Sequence, residues 1–291
     1  MISLRTALLL AGLMILPGSC IAASTEPDAP ESPAAAVLSV GAFHLSRAPQ
    51  QGGLSHGIVP LGTQRLVIDG RDVGFAQDRR FIVGFGRDYA NSTLITAFLA
   101  DGRSVTERLA VNTTAWVIES LSTLPHHAGP DAEFQARRPT ELAQIDAARH
   151  VMTKAEGWRQ SFIWPVLGRI SGHFGAQRFY AGQPGAPHGG VDIAGSTGTP
   201  VLAPADGVVI LAAARPFTLE GNLVMIDHGM GLNSAFLHLS RIDVRVGDPV
   251  RQGQPIGAIG MTGRATGPHL HWGMKWLDER IDPAMLLPQK R

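Results

Sequence analysis

Glycine is the residue that most constrains how this chain can fold. The sequence contains 34 glycines and 20 prolines among 291 residues, while aromatic residues make up only 6%. In the second half, glycines separate short apolar runs such as GTPVLAPADGVVILAA, GNLVMIDHGMGLNSAFLHLS and VGDPVRQGQPIGAIG. Because glycine and proline interrupt helices and form tight turns, this spacing favours many short strands. We therefore expect a mainly β protein in which residues 161–291 form antiparallel sheets.

The first half carries hairpin signals of the same kind over residues 38–121. The stretch RLVIDGRDVGF turns at Asp69 and Gly70, and TLITAFLADGRSVTERLAV turns at Asp101 and Gly102. An Asp-Gly pair between apolar runs is typical of a β-hairpin. These signals predict a small N-terminal β-sandwich.

A different pattern separates the two β regions, in residues 122–160. This stretch includes PTELAQIDAARHVMTKAEGW, whose apolar residues recur near helical spacing and predict a linker helix. The residues at that spacing are Leu142, Ile145, Ala148, Arg149 and Met152.

The N-terminus has the pattern of an export signal. Residues 1–23 contain one charge, Arg5, then an apolar run from Ala7 to Pro17 and then small residues. Residues 24–37 are rich in proline, alanine and acidic side chains, which predicts a flexible leader. The chain is therefore expected to be exported, with no integral membrane span in its mature form.

The only cysteine, Cys20, lies inside or just after the predicted signal. No internal disulfide can form, so the exported protein must be held together by packing or by a metal. Cys20 is either lost with the signal or acylated as a lipid anchor. The stretch LPGSC resembles a bacterial lipobox only in part, which favours the soluble exported form.

Net charge argues against nucleic acid as a partner. Removing the signal takes away one of 25 basic residues and leaves 24 against 24 acidic ones. A formally neutral chain has no bulk attraction for a polyanion.

Two short stretches contain metal-ligand residues at even spacing. In PHGGVDIAG, His188 and Asp192 are four residues apart, which places them on one face of a helix or a strand. In GPHLHW, a strand would project His269 and His271 together while Leu270 turns into the core. Imidazole, carboxylate and imidazole are the ligand type of a catalytic zinc site. The residues alone leave open that the histidines are solvated and that Asp192 only caps a turn.

These stretches closely resemble the M23 metallopeptidases of the lysostaphin or LytM type. HGGVD matches their HxxxD motif and HLH matches their HxH motif. The resemblance continues through LHLSRIDVRVGDPVRQGQPIG and TGRATGPHLHW and covers roughly residues 160–288. The N-terminal half is similar, in pattern and position, to the β-sandwich that precedes the peptidase domain in some exported members.

The resemblance implies a role for each motif residue. His188, Asp192 and His271 would bind one zinc ion per chain, and His238 and His269 would be catalytic. Without the resemblance, His238 in the apolar run SAFLHL reads as a core histidine. Its role in catalysis therefore depends on the family match.

Some residues near these motifs are not expected to bind metal or to act in catalysis. Phe236 occupies a position where the family often has tyrosine, so a hydroxyl is missing there. His228 is expected to stabilise a turn, His173 to lie in a loop near the groove, and the pair Asp282 and Pro283 to be structural.

Four histidines of the first half have no spaced acidic or histidine partner, so we expect surface or loop positions for His44, His56, His126 and His127. Four aspartates adjoin glycine or proline or lie at strand ends, so we expect turn or surface positions for Asp206, Asp227, Asp243 and Asp248.

The function implied by the resemblance is that of a zinc metalloendopeptidase acting on peptidoglycan. It would hydrolyse stem-peptide cross-links, with D-alanyl-diaminopimelate as the expected bond, in the periplasm of a Gram-negative bacterium. One alternative is a non-catalytic LytM-type regulator that activates another wall hydrolase. Another is a module that anchors the chain to peptidoglycan through residues 38–121.

Overall fold

The chain folds mainly into short antiparallel strands. This computed structural model describes residues 38–40, 42–121 and 132–288. The predicted signal and leader, including Cys20, lie outside these residues, as do His126 and His127. Within the described ranges, no helix is both long enough and apolar enough to cross a membrane.

Nine strands occupy the described residues of the first half, between residues 38 and 121. They are β1 (Leu38–Val40), β2 (Phe43–Leu45), β3 (Leu54–Ile58), β4 (Thr63–Ile68), β5 (Arg71–Val73), β6 (Arg80–Gly84), β7 (Ser92–Leu99), β8 (Ser104–Ala110) and β9 (Ile118–Leu121).

The first eight strands form two antiparallel sheets, with strand orders β1-β2-β3-β6 and β5-β4-β7-β8. Asp69 and Gly70 make the β4–β5 turn with φ angles of 47° and 81°, and Gly102 lies in the β7–β8 turn at 82°. Asp and Gly tolerate these left-handed angles, which is why the sequence signal works here. Buried side chains from both sheets belong to one hydrophobic cluster. The predicted mainly β class with an N-terminal sandwich is confirmed.

In the linker region, the described residues 132–160 form helix α1 (Ala132–Arg149) and a short 3₁₀ turn (Gly157–Arg159). Ile145 and Ala148 pack on the sheet of the second half, as the helical spacing indicates. Two of the residues at helical spacing are not buried: Leu142 is 48% exposed, and Met152 lies beyond the helix and is 59% exposed. Glu141 is buried instead, because its carboxylate finds partners on the facing loop.

The second half contains thirteen strands and a final 3₁₀ helix (Pro283–Leu286). The strands are β10 (Arg169–Gly172), β11 (Gln177–Tyr180), β12 (Gln183–Pro184), β13 (Val191–Ala194), β14 (Pro200–Leu202), β15 (Gly207–Ala212), β16 (Asn222–Asp227), β17 (Leu232–Leu239), β18 (Arg241–Ile242), β19 (Pro249–Val250), β20 (Pro255–Ala258), β21 (His269–Trp276) and β22 (Glu279–Ile281).

A large sheet organises this half, in the order β10-β13-β21-β17-β16-β15-β19, with β22 also paired to β21. Strands β14, β20 and β18 form a small second sheet. Every pair in the large sheet is antiparallel, as expected from the glycine-rich hairpin pattern. The strand order places β13 beside β21, and these two strands carry both metal-ligand motifs.

The two halves share one hydrophobic core. Strand β9 leaves the sandwich and pairs in parallel with β11 of the second half. At Gly84 a Cβ atom would lie 2.9 Å from the Trp276 side chain, so the two halves approach closely there. The division into segments 38–121, 122–160 and 161–291 stays a prediction.

His56, expected in a surface or loop position, is partly exposed but belongs to a strand and not to a loop. It lies on β3, and its Nε2–H donates to the carbonyl of Trp158 at 2.7 Å. Burial lowers the pKa of His56. The partner is 102 residues away in the chain, so no local pattern could reveal it.

Asp227, expected at a turn or on the surface, lies at the end of β16 next to a turn, but only 1% of its surface is exposed. Its carboxylate accepts hydrogen bonds from the amide and hydroxyl of Thr153 and from the amide of Gly229. The bond from Gly229 is a local turn bond, as the sequence indicates. The bonds from Thr153 join the segment after α1 to the large sheet and cover the carboxylate.

Candidate metal centre and catalytic site

Strand pairing brings the two motifs together. In the β13–β21 register, Asp192 lies opposite His271, and Ala194 lies opposite His269. His188 comes from the loop that leads into β13. Leu270 is fully buried, so the alternation predicted for the HLH stretch is confirmed.

Three side-chain atoms converge at this point. His271 Nδ1 lies 2.8 Å from Asp192 Oδ1. His188 Nε2 lies 3.1 Å from Asp192 Oδ1 and 3.1 Å from His271 Nδ1. These separations are close to the edge of about 3.3 Å in a tetrahedron with zinc bonds of 2.0–2.1 Å. The three residues could therefore hold one divalent ion.

The electrostatics of this cluster favour a charged Asp192. Burial alone would raise the pKa of its carboxyl, but the hydrogen bonds with His188 and His271 lower that pKa well below its usual range. Burial lowers the pKa of His271, which favours the neutral imidazole that binds metals. For His188, burial is outweighed by the bond to Asp192 and its charge, which raise the pKa. Without a metal, the carboxylate therefore stabilises a proton on His188.

Backbone groups around the cluster orient its side chains. His188 Nδ1–H donates to the carbonyl of His173 at 3.0 Å, which directs Nε2 towards the other ligands. His173 therefore acts here through its carbonyl, a contribution that sequence reasoning missed. Gly172 also lies close, since a Cβ there would be 2.4 Å from Asp192 Oδ2. A glycine within a strand, as Gly172 is in β10, is the signal that could have suggested such a close approach.

His238 and His269 lie beside the cluster. Their ring centroids are 4.8 Å apart, and His269 Nε2 is 3.8 Å from Asp192 Oδ1. His238 Nδ1–H donates to Thr262 O and His269 Nδ1–H donates to Gly267 O, both at 2.8 Å. One loop thus holds both rings, and each keeps Nε2 as its remaining ring nitrogen.

His238 has an unusual backbone conformation. Its φ angle is 62°, which is uncommon for a non-glycine residue and costs roughly 1–2 kcal/mol. The His238 amide donates to the carbonyl of Glu220 at 2.8 Å. The Glu220 carboxylate accepts two hydrogen bonds from Arg138 of α1, at 2.7 and 2.8 Å. Through Arg138, the linker helix therefore supports the loop around Glu220, whose carbonyl accepts the His238 amide. Sequence reasoning missed this connection.

Two neighbouring residues are structural. Phe236 is fully buried in the core, so the position where the family often has tyrosine supplies no group to the site. His228 is also fully buried and bonds to Asp206 O and Ser234 Oγ, both at 2.8 Å. This confirms the structural role predicted for His228.

A groove of about 1490 Å³ opens at the cluster. Its lining includes His188 and Asp192, helix residues Glu133 and Arg137, and Glu119 of β9. This volume exceeds the 300–1,000 Å³ typical of small-molecule pockets, so a peptide of several residues fits better. Segments outside the motif region thus form much of the groove wall.

The fold and the cluster together define a class of protein. It is a mainly β protein whose candidate metal site, made of two histidines and an aspartate, lies on two adjacent strands and the loop before one of them, beside a peptide-sized groove. The model of peptidase family M23 matches residues 186–283, which contain all five candidate site residues. A candidate M23 peptidase from Pseudomonas aeruginosa has a crystal structure that aligns with a TM-score of 0.62 at 31% identity. That alignment covers 84% of this chain and 96% of the other. The chain belongs to peptidase family M23.

Two curated relatives match over the second half of the chain. The peptidoglycan DD-endopeptidase ShyA of Vibrio cholerae is 46% identical over 105 residues, which is 36% of this chain and 24% of ShyA. The cell division protein DipM of Caulobacter vibrioides is 35% identical over 155 residues, 51% of this chain and 24% of DipM. The chain thus spans about a quarter of the length of these relatives.

Proposed function

We propose that this protein is an exported zinc metalloendopeptidase that hydrolyses peptide cross-links of bacterial peptidoglycan. The observation that carries the proposal is the convergence of His188, Asp192 and His271 beside a peptide-sized groove. The donor set is of the catalytic zinc type, with three protein ligands and room for a water or substrate atom. The name of ShyA, a peptidoglycan DD-endopeptidase, supports the same substrate class.

The five site residues divide between metal binding and proton transfer. His188, Asp192 and His271 would hold one zinc ion, which supplies Lewis acidity towards the scissile carbonyl and activates water. His238 and His269 present Nε2, because a carbonyl of the 262–267 loop holds each Nδ1–H. A neutral imidazole in this tautomer accepts a proton.

The two free histidines are suited to share one proton. Burial lowers the pKa of His238, and the nearby His269 and His271 lower it further. With the ring centroids of His238 and His269 4.8 Å apart, two imidazolium charges would repel each other. One ring can thus take the proton while the other stays neutral. His269 Nε2 lies 3.8 Å from Asp192 Oδ1, so this ring is also close to the candidate metal centre.

The bond we propose is D-alanyl-diaminopimelate in the stem peptides of a Gram-negative periplasm. The support is the export pattern of residues 1–23 and the description of ShyA as a DD-endopeptidase. A soluble exported form, with Cys20 removed rather than acylated, belongs to the same proposal.

A second candidate is a regulator that activates another wall hydrolase. The relative DipM is described as a cell division protein, not as a hydrolase, and it matches about half of this chain. Regulators of this type typically lack ligands. This chain has all five site residues, which favours the enzyme.

Zinc content and digestion of isolated sacculi would test the proposal together. The wild type should retain one zinc per chain and convert cross-linked muropeptides to monomers, detected by mass spectrometry. H188A should lose both properties, while H44A, at an exposed histidine of β2, should keep both. A chelator should stop digestion and added zinc should restore it.

Full digestion by H188A would refute the metalloenzyme. Stoichiometric zinc without any digestion would favour the regulator, and stimulation of a second hydrolase would then be measured. Binding of residues 38–121 to cell walls, without zinc or digestion by the full chain, would favour the anchoring module.

A further inference from the structure

Three cationic side chains lie close together on the sheet face that carries the candidate metal centre. Lys275 follows His271 by four residues on β21, so both side chains project to one face. Arg280 of β22 lies directly opposite Lys275, and Asn233 of β17 lies opposite it on the other side. Arg149 of α1 donates to Asn233 Oδ1 at 2.6 Å. We call Arg149, Lys275 and Arg280 the cationic cluster.

The positive charge of this cluster is poorly compensated. Lys275 has one carboxylate partner, Asp278, at 3.9 Å, and Asp278 is also bound to Arg71 at 2.9 Å. Among the described residues, no carboxylate oxygen lies within 4.0 Å of the guanidinium of Arg149 or Arg280. Like charges directly opposite on paired strands are destabilising. An anion bound at the cluster would remove this repulsion.

Burial and the neighbouring cations act together on these groups. Burial, followed by the charge of Arg280, lowers the pKa of Arg149 to about 10. Burial, followed by the charge of Arg149, also lowers the pKa of Lys275. Both groups stay charged at neutral pH, so the repulsion persists in the folded protein.

The cluster lies next to the groove. Gly189 lines the groove directly after His188, and a Cβ at Gly189 would be 3.4 Å from Arg280 Nη1. Along β21, the four residues from His271 to Lys275 span about 13 Å. Arg280 is exposed, and the Lys275 side chain is 21% exposed. A group on a peptide held in the groove can therefore reach these cations.

We propose that the cationic cluster binds a free carboxylate of the peptide substrate. This inference rests on the proposed function and adds a specificity site to it. The stem peptides of peptidoglycan carry free carboxylates besides the cross-linked groups, and arginine binds carboxylates through paired hydrogen bonds. Lys275 lies four residues along β21 from His271, while Arg280 lies beside Gly189 and therefore nearer the metal ligands. The cluster is thus placed to select a carboxylate on a residue at or next to the cleaved bond.

Calorimetry with two soluble peptides would test the site independently of hydrolysis. The first is a stem tripeptide that ends in diaminopimelate with free carboxylates, and the second is the same peptide with both diaminopimelate carboxylates amidated. The wild-type full chain should bind the free form about tenfold more tightly, since hydrogen bonds between charged groups are the stronger kind. R280Q should weaken binding of the free form about tenfold and leave the amidated form unchanged.

R251Q, at an exposed arginine outside the cluster, is the matched control and should behave as the wild type. Equal affinity of the wild type for both peptides would overturn the site, as would equal weakening of both peptides by R280Q. Competition by inorganic phosphate against both forms alike would show a general anion site and overturn the peptide carboxylate. Digestion of sacculi is measured separately. If the protein distinguishes the two peptides but digests no sacculi, the carboxylate site stands and the proposed enzyme activity is refuted. If it digests sacculi but binds both peptides equally, the enzyme activity stands and the carboxylate site is refuted.

Discussion

Acid should destabilise this protein through one fully buried histidine, His228. Its Nδ1–H donates to Asp206 O, and its Nε2 accepts from the hydroxyl of Ser234. This arrangement suits the neutral ring, and burial lowers the pKa of His228 to about 4. The unfolded chain should instead bind the proton with a pKa near 6.5. Between these values the unfolded state holds more protons, so stability falls as the pH falls.

The size of this effect follows from the two pKa values. One pKa unit corresponds to about 1.4 kcal/mol, so the full penalty below pH 4 is about 3 kcal/mol. By the same relation His228 contributes about 2 kcal/mol of destabilisation at pH 5 and almost none at pH 7.5. H228N removes this contribution. It should also cost about 1–3 kcal/mol at every pH, because it leaves the Ser234 hydroxyl without its acceptor.

Urea unfolding at pH 7.5 and pH 5, in chelator, would measure the prediction. The wild type should lose about 2 kcal/mol more than H228N between the two pH values. The pH-dependent contributions of the other histidines to the unfolding free energy are the same in both proteins and cancel in this comparison. The control H44N, at an exposed histidine of β2, should lose as much stability as the wild type. Equal losses for wild type and H228N would refute the reasoning. If H228N does not fold, an NMR titration of the wild type gives the answer, and protonation of His228 near pH 6.5 would contradict it.

Three further changes test the site and its support. Gly190→Ala would place a Cβ 2.4 Å from Trp272 O, so β13 should move away from β21. Zinc affinity, measured by competition with a chromogenic chelator, should fall at least tenfold, and unchanged affinity would refute the steric argument. Arg138→Ala removes the support of the loop whose carbonyl accepts the His238 amide. It should lower kcat about tenfold on a soluble muropeptide with KM unchanged, whereas a change in KM alone would contradict a positioning role. Glu141→Ala removes a buried acceptor and should cost about 2 kcal/mol in urea unfolding at pH 7.5; a loss below about 0.5 kcal/mol would count against it.

Local patterns predicted those features of the fold that depend on near neighbours in sequence. The turns at Asp69, Gly70 and Gly102 follow from residues that tolerate left-handed angles. The burial of Leu270 between His269 and His271 follows from strand alternation. The helix was predicted in place, but its spacing could not show that Glu141 is buried while Leu142 is exposed, because the partner of Glu141 is the distant Thr218.

The sequence by itself determined the mainly β class and the two motifs that carry candidate metal ligands, because alternation and turn chemistry act over a few residues. The choice of His188, Asp192 and His271 as the ligands came from the resemblance to the M23 family. Only the tertiary structure decided that β13 lies beside β21, that the His173 carbonyl orients His188, and that helix α1 supports the loop holding His238. These contacts join residues far apart in sequence. Local propensity specifies which face a side chain occupies but not which distant segment packs against that face, and only the packing of the whole chain settles that choice.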